Sequence, residues 1–233
     1  MTRRTTTVQA IGVIATAIIL ASCAPAAQPT ADESVPSETT TSAPPAETET
    51  EGDSDETQAA DQPAWATPVT RPGELISTFM VGEIQVEAYQ VGTSPAPEDG
   101  SSIDPDTYQP IIKAGDPLVF INYVVTNTGP DVPLSALLVE IDAKYEDWRF
   151  IGGMTGISRR VLYDEHGVSW NAVVPGRHTE HVLETGQSFC YATNFGYRPG
   201  VPLTFAGSYK PVDEADNLLH DQEVEGEGTA VLS

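Results

Sequence analysis

The fold of this chain is decided by one run of residues, Leu118-Val119-Phe120-Ile121-Asn122-Tyr123-Val124-Val125-Thr126. Nearly every residue in it is apolar, β-branched or aromatic, and these types favour strands. They fill both sets of alternating positions, so both faces of the strand are expected to be buried. The next segment, Asn127-Thr128-Gly129-Pro130, is typical of a turn. The run therefore predicts a central strand.

Four further segments carry strand patterns. In residues 137–145 apolar and polar positions largely alternate, which predicts a strand with one buried face and one solvent-exposed face. The predicted buried face consists of Leu137, Val139, Ile141, Ala143 and Tyr145. Residues 84–91 and 188–195 also alternate, and residues 203–209 are predicted to form the last core strand. No segment shows a sustained helical period. Short strands separated by turn residues predict an all-β fold, an antiparallel β-sandwich.

Two stretches lack these patterns and are predicted to be long loops, residues 92–112 and residues 151–181. A short strand is expected within the second, near residues 169–174. Loops of this length are uncommon in a compact domain and often carry function. Residues 73–233 are predicted to form one folded domain with a single core.

Residues 23–72 precede this domain and have a different composition. They are rich in Pro, Thr, Ser and Ala, they hold many acidic residues, and their one aromatic residue is Trp65. Such a segment buries too little apolar surface to offset the entropy of ordering it. It is predicted to be a disordered acidic tether.

The N-terminus has the layout of an export signal. Arg3 and Arg4 precede an apolar stretch at residues 8–20, and Leu20-Ala21-Ser22-Cys23 follows. This site resembles the lipobox of exported bacterial lipoproteins. The resemblance implies cleavage after residue 22, a diacylglyceryl (palmitate-type) anchor on Cys23, and attachment to the outer face of the cytoplasmic membrane. A signal without lipidation and an uncleaved anchor helix are the alternatives.

The domain itself carries a second resemblance. The segments Val124-Val125-Thr126-Asn127-Thr128-Gly129 and Leu183-Glu184-Thr185-Gly186-Gln187-Ser188-Phe189 resemble immunoglobulin-like domains of lipoproteins from Gram-positive bacteria, especially actinobacteria. The resemblance implies an immunoglobulin-like β-sandwich over roughly residues 73–212. It supplies no catalytic residue, and the paired cysteines of antibody-type domains are missing.

Charge and cysteine content exclude several classes of partner. The chain has 11 Lys and Arg against 34 Asp and Glu, a formal net charge of −23. Cleavage before Cys23 removes Arg3 and Arg4 and no acid, which takes the mature chain to −25. Nucleic acid and anionic lipid require basic patches, so neither is an expected partner. The default expectation is a solvated acidic surface, and divalent cations or a basic partner are the functional alternatives. With Cys23 lipidated, only Cys190 remains, and its alternating apolar context predicts a buried, inert thiol.

Metal ligands are sparse. His178 and His181 are close in sequence and are candidate zinc ligands, while Asp213 and Asp216 are candidate calcium ligands. Neither group has the spacing of an established metal motif. The default expectation is solvated loop histidines and a solvated acidic C-terminal tail.

Catalytic signatures are also missing. The sequence has no Gly-x-Ser-x-Gly elbow, Ser-x-x-Lys pair or Cys-His signature, and no cofactor is expected. Trp148 and Trp170 flank the second predicted loop and are candidates for an interaction surface. The sequence thus predicts a lipid-anchored, non-catalytic binding or scaffold module with an envelope protein or glycan as partner. A metal-binding lipoprotein and an envelope hydrolase are the alternatives.

Overall fold

The structure is a computed structural model that describes residues 61–175, 181–213 and 215–233. The predicted signal peptide, Cys23, the tether before residue 61 and His178 lie outside these ranges. The strands are β1 Glu74–Val81, β2 Ile84–Pro95, β3 Pro117–Asn127, β4 Val132–Leu134, β5 Glu140–Tyr145, β6 His181–Leu183, β7 Ser188–Gly196, β8 Pro202–Tyr209 and β9 Val224–Val231. One short helix, α1, spans Arg160–Glu165, and a 3-10 turn spans His220–Gln222.

The strands form antiparallel sheets that are not closed into a barrel. A four-stranded sheet has the order β1-β2-β3-β7, a three-stranded sheet has the order β5-β8-β9, and β4 pairs with β6 in a small ribbon. The predicted fold class, an all-β antiparallel β-sandwich, is confirmed. Within the described residues no helix is long and apolar enough to cross a membrane.

Strand β3 is central to the four-stranded sheet, paired with β2 on one side and β7 on the other. Its odd-numbered residues enter the core between the two sheets, where Tyr123 meets the ring of Phe205 edge-on at 5.7 Å. Its even-numbered Leu118, Phe120 and Val124 point the other way and are also fully buried. The double-sided burial expected for the run at 118–126 is therefore confirmed.

The outer side of β3 is buried because loops cover it. At one end the cover consists of the loop after β2, the segment before α1 and α1 itself, with Ile112, Ile157, Leu162 and Tyr163 as its apolar contacts. The ring of Tyr163 lies edge-on to Phe120 at 5.3 Å. Much of the two predicted long loops is therefore structural. The helix was not predicted, and the expected strand near residues 169–174 is only a single bridge between Ala66 and Val173.

At its other end β3 is covered by residues 61–72, which the sequence had assigned to the tether. Asn122 donates a hydrogen bond to the Thr70 carbonyl at 2.8 Å, and Val69 packs on the cluster that contains Val124. Trp65 is only 5 % exposed, and its indole N–H donates to the Val182 carbonyl at 3.1 Å. Among the described residues, the segment 61–72 before the predicted boundary at residue 73 is therefore packed on the domain, because it buries the apolar outer face of β3.

Two strand assignments are also corrected. Residues 203–209 form β8 but are not the last core strand, because β9 pairs with β8 along its whole length. The expected acidic tail is thus a turn followed by a strand. Strand β5 begins at Glu140, and Leu137 is 57 % exposed instead of buried. Leu138 has a φ of +56°, and this turn breaks the alternation before the strand starts.

Strand β9 packs closely on β1 because the residues at its core-facing positions are small. At Gly226 an added Cβ would lie 1.9 Å from the Met80 carbonyl oxygen, and at its pairing partner Gly207 it would lie 2.6 Å from a methyl group of Val81. The backbone of β9 therefore passes directly over β1. This contact joins the two sheets along one side of the sandwich.

We expect Trp65→Ala to lower the free energy of unfolding by about 3–5 kcal/mol, because it empties a large buried site. Trp170→Ala, at a half-exposed tryptophan, is the matched control and is expected to cost about 1 kcal/mol or less. Urea unfolding of the full chain followed by circular dichroism gives both values. Equal stability of the two variants would show that residues 61–72 are not part of the folded unit.

Gly226→Ala is expected to destabilise the fold by about 1–3 kcal/mol, since the new methyl group forces β9 away from β1. Gly196→Ala is the control, because the nearest atom to a Cβ there is 4.0 Å away. The same unfolding measurement compares them. A Gly226→Ala variant as stable as Gly196→Ala would contradict the close approach of these strands.

Candidate functional site

The outer face of the three-stranded sheet carries an unusual set of side chains. Ile141 and Ala143 face the core, so the alternation along β5 directs Glu140 and Asp142 to solvent. On β9, Glu225 and Glu227 face solvent for the same reason. We call these four carboxylates, Glu140, Asp142, Glu225 and Glu227, the acidic face.

The strand register arranges the acidic face in two rows. Ser208 of β8 lies between Glu140 and Glu225, and Ala206 lies between Asp142 and Glu227. These residues, with Gly207 and Gly226, form the floor of a groove of about 520 Å³. Carboxylate-bearing residues on β5 and β9 are about 10 Å apart across the sheet, since neighbouring strands lie 4.7–4.9 Å apart. The groove is thus low in the middle and negatively charged on both sides.

In the part of the chain that the structure describes, none of the four carboxylates forms an ion pair. The nearest ion pair on this surface joins Lys210 to Glu223 at 2.6 Å, at the end where β8 leaves the sheet. At the other end Lys144 occupies the next outward position of β5, opposite Thr204. The acidic face therefore lies between two lysines, and neither of them forms an ion pair with its four carboxylates.

A second concavity adjoins the acidic face along the free edge of β5. It holds about 320 Å³ and is walled on one side by residues 136–142 and on the other by residues 170–173 and Tyr191. Trp170 is 51 % exposed at its rim, near the exposed Leu137. Glu140 and Asp142 line both concavities, so the two form one continuous surface. We call the second concavity the tryptophan cleft.

The walls of the tryptophan cleft are held by hydrogen bonds at both ends of the β5 edge. The Tyr191 hydroxyl donates to the Val139 carbonyl at 2.9 Å, and the Met154 amide donates to the Ala143 carbonyl at 2.9 Å. Burial raises the pKa of Tyr191 well above its ordinary value, which keeps the hydroxyl protonated as a donor. Two carbonyl groups along this edge are thus already bonded, which limits pairing with another strand.

Trp148, the other candidate for the interaction surface, is placed differently. It is half-buried, its indole N–H donates to the Gly152 carbonyl at 3.1 Å, and it packs edge-on against Phe150 at 4.8 Å. These contacts stabilise its own loop. The structure therefore gives Trp170, and not Trp148, a place on the surface of the cleft.

The structure brings three of the four predicted metal ligands to one pocket. His181, Asp213 and Asp216 line one pocket beside the β4–β6 ribbon, whereas His178 is outside the described ranges. Asp213 is committed to its own turn: Asn217 and Ala215 donate to its carboxylate, and the bonds from Asn217 are the main cause of its lowered pKa. No three His, Cys, Asp or Glu residues among those described are arranged to hold a metal ion. Metal binding stays a prediction.

Two side chains of a type that can act as a nucleophile, Cys190 and Ser94, have structural roles. Cys190 is buried as predicted, 1 % exposed beneath Pro68, and burial raises the pKa of its thiol. The Ser94 hydroxyl lies 2.8 Å from Nε2 of His166, and the His166 ring packs on Phe120 at 4.2 Å. That contact fastens the end of α1 to β2, and no carboxylate in the described ranges bonds to His166. The hydrolase alternative likewise stays a prediction.

No family model, curated protein or solved structure matches this chain.

The residues of the acidic face were not singled out from the sequence, because no strand was predicted after residue 209. The signal that pointed to them is the strict alternation Glu225-Gly226-Glu227-Gly228. Its glycines lowered the strand propensity of the segment, and only pairing with β8 makes it a strand.

Proposed function

We propose that this protein is an exported, lipid-anchored, non-catalytic binding module whose acidic face and tryptophan cleft bind a basic polypeptide segment of an envelope partner. The observation that carries the proposal is the unpaired acidic face, continuous with an exposed tryptophan. The lipobox-like site at Cys23 supports the anchoring, and the acidic composition of residues 23–60 supports a solvated tether.

Charge complementarity favours a basic partner. Four carboxylates within one groove produce a negative potential that attracts lysine and arginine side chains and repels anionic ligands. The β5 carboxylates and the β9 carboxylates are separated by a floor of small residues on β8, so an extended chain fits between them and runs along β8. An extended segment advances about 3.3 Å per residue, so a few residues pass beside all four carboxylates.

The tryptophan cleft adds an anchor to this electrostatic attraction. A tryptophan face stabilises a nearby arginine or lysine by a cation–π contact, and it also packs against apolar side chains. Buried aromatic anchors dominate the energy of many interfaces, while surrounding charges govern association rate and specificity. The preferred segment is thus basic with at least one apolar or arginine side chain beside Trp170.

The test uses the full lipidated chain in detergent and a short fluorescent peptide of alternating lysine and serine. Fluorescence anisotropy at low salt measures binding. The double variant Glu225→Gln/Glu227→Gln is expected to weaken binding about tenfold, because it removes two charges from one side of the groove. Added salt is expected to weaken wild-type binding, and a glutamate-serine peptide is expected not to bind.

The matched control is Glu74→Gln/Glu165→Gln, which removes the same charge from exposed residues on β1 and at the end of α1. It is expected to leave the affinity within about twofold of wild type. An equal loss of affinity in both double variants would mean that only net charge matters. That outcome would overturn the acidic face as the binding surface.

Anchoring is tested separately by Cys23→Ser. Without the thiol no thioether forms, so the protein is expected to leave the membrane fraction or to accumulate with its signal uncleaved. Cys190→Ala is the control, because it removes the other thiol and keeps Cys23. Intact mass and membrane fractionation in the native host give the answer. A Cys23→Ser protein whose mass differs from wild type only by the exchange of sulfur for oxygen, with an unchanged membrane yield, would contradict lipidation.

A further inference from the structure

Trp170 belongs to a short segment, residues 169–174, which we call the tryptophan wall. Residues 170–173 of this segment line the tryptophan cleft. The first residue of the wall is fastened to the four-stranded sheet, because the Ala192 amide of β7 donates to the Ser169 carbonyl at 2.7 Å. Trp170 follows directly. The attachments of the wall beyond Trp170 therefore help to decide where the indole lies.

The far half of the tryptophan wall is held by a segment that is distant in sequence. The Thr67 amide donates to the Ala172 carbonyl at 2.7 Å, and the Val174 amide donates to the Trp65 carbonyl at 2.8 Å. The Thr67 hydroxyl lies 3.1 Å from the Asn171 carbonyl and 3.2 Å from the Ala172 carbonyl, and it donates to this pair. Trp170 is thus held between the β7 attachment and these bonds.

The segment that makes these bonds is fixed on the domain. We call residues 61–67 the strap. The Gln62 side-chain amide donates to the Ala66 and Thr67 carbonyls at 3.1 and 3.0 Å, and its oxygen accepts the Val69 amide at 3.1 Å. The buried indole of the strap adds its bond to β6, described above. A fixed strap gives the tryptophan wall a fixed support.

We propose that the strap positions Trp170 for partner binding, with Thr67 as the positioning residue. Its amide and hydroxyl fix the carbonyls of Asn171 and Ala172, the two residues that follow Trp170 in the wall. This inference rests on the proposed function, in which the indole meets the partner in the tryptophan cleft. The strap continues the chain from the predicted tether, so the segment next to the anchor also supports the binding surface.

The test is a double-mutant cycle that combines Thr67→Val with Trp170→Ala in the full lipidated chain in detergent. The probe is the fluorescent lysine-serine peptide with arginine in place of its central lysine, and anisotropy at low salt measures binding. Thr67→Val keeps the side-chain shape and removes the hydroxyl, so binding is expected to weaken about fivefold. In a chain that carries Trp170→Ala, Thr67→Val is expected to have no further effect, because the positioned indole is gone.

Thr128→Val is the matched control. It removes a threonine hydroxyl that donates to the Glu83 carbonyl at 2.5 Å, in a turn that lines neither the groove of the acidic face nor the tryptophan cleft. Its affinity is expected to stay within about twofold of wild type. Thr67→Ser keeps the hydroxyl and is expected to restore most of the binding that Thr67→Val loses.

Fluorine NMR of the chain labelled with 5-fluorotryptophan reports the position of the indole without a partner. The chain has three tryptophans, and the resonance lost in Trp170→Ala identifies that of Trp170. Thr67→Val is expected to shift or broaden this resonance and to leave that of Trp148 unchanged. Thermal unfolding of each variant checks that it is folded.

Three results would overturn the proposal. They are a wild-type affinity in Thr67→Val, an equal loss from Thr67→Val with and without Trp170→Ala, and an unchanged Trp170 resonance in Thr67→Val. A wild-type chain that does not bind the peptide would instead contradict the proposed function. In that case the fluorine spectrum alone decides whether the strap positions Trp170.

Discussion

Burial of β3 on both faces is the constraint on which the rest of this structure depends. One set of its side chains fills the core between the sheets, and the other set requires a second layer outside the four-stranded sheet. Helix α1 and its flanking loops supply one half of that layer, and residues 61–72 supply the other. A sandwich of two sheets is thus extended by irregular segments whose shared role is to exclude water from one strand.

The second constraint is the contact between β1 and β9, which depends on small residues. Gly226 leaves room for the backbone of β1 at Met80 and Val81, and Gly207 leaves room for the side chain of Val81. Because β9 is held there, its outward glutamates are fixed at one side of β8, facing those of β5. The same packing that closes one side of the sandwich therefore creates the acidic face on its outer surface.

The proposed binding surface is defined by charge. The acidic face is open, regular and rich in carboxylates, which are the features that attract an extended basic segment over a distance. Trp65 has a structural role, because its ring packs on His181 and its indole N–H bonds to the Val182 carbonyl, so it fastens residues 61–72 to β6.

The sequence by itself determined the fold class and the strands β2, β3, β5, β7 and β8, because runs of β-branched and aromatic residues such as 118–126 report burial through local pattern alone. It did not predict β1, which supplies Phe79 and Val81 to the core. It also determined the strong negative charge, whereas the export signal with Cys23 stays a prediction. Only the tertiary structure decided that residues 61–72 belong to the domain and that residues 224–231 are a strand. The first segment is rich in proline and the second in glycine and glutamate, so neither has a strong strand pattern of its own, and their order comes from contacts with distant residues. Pairing with β8 decided that Glu225 and Glu227 lie opposite Glu140 and Asp142, since strand register between segments so far apart in sequence is set by packing and not by local composition.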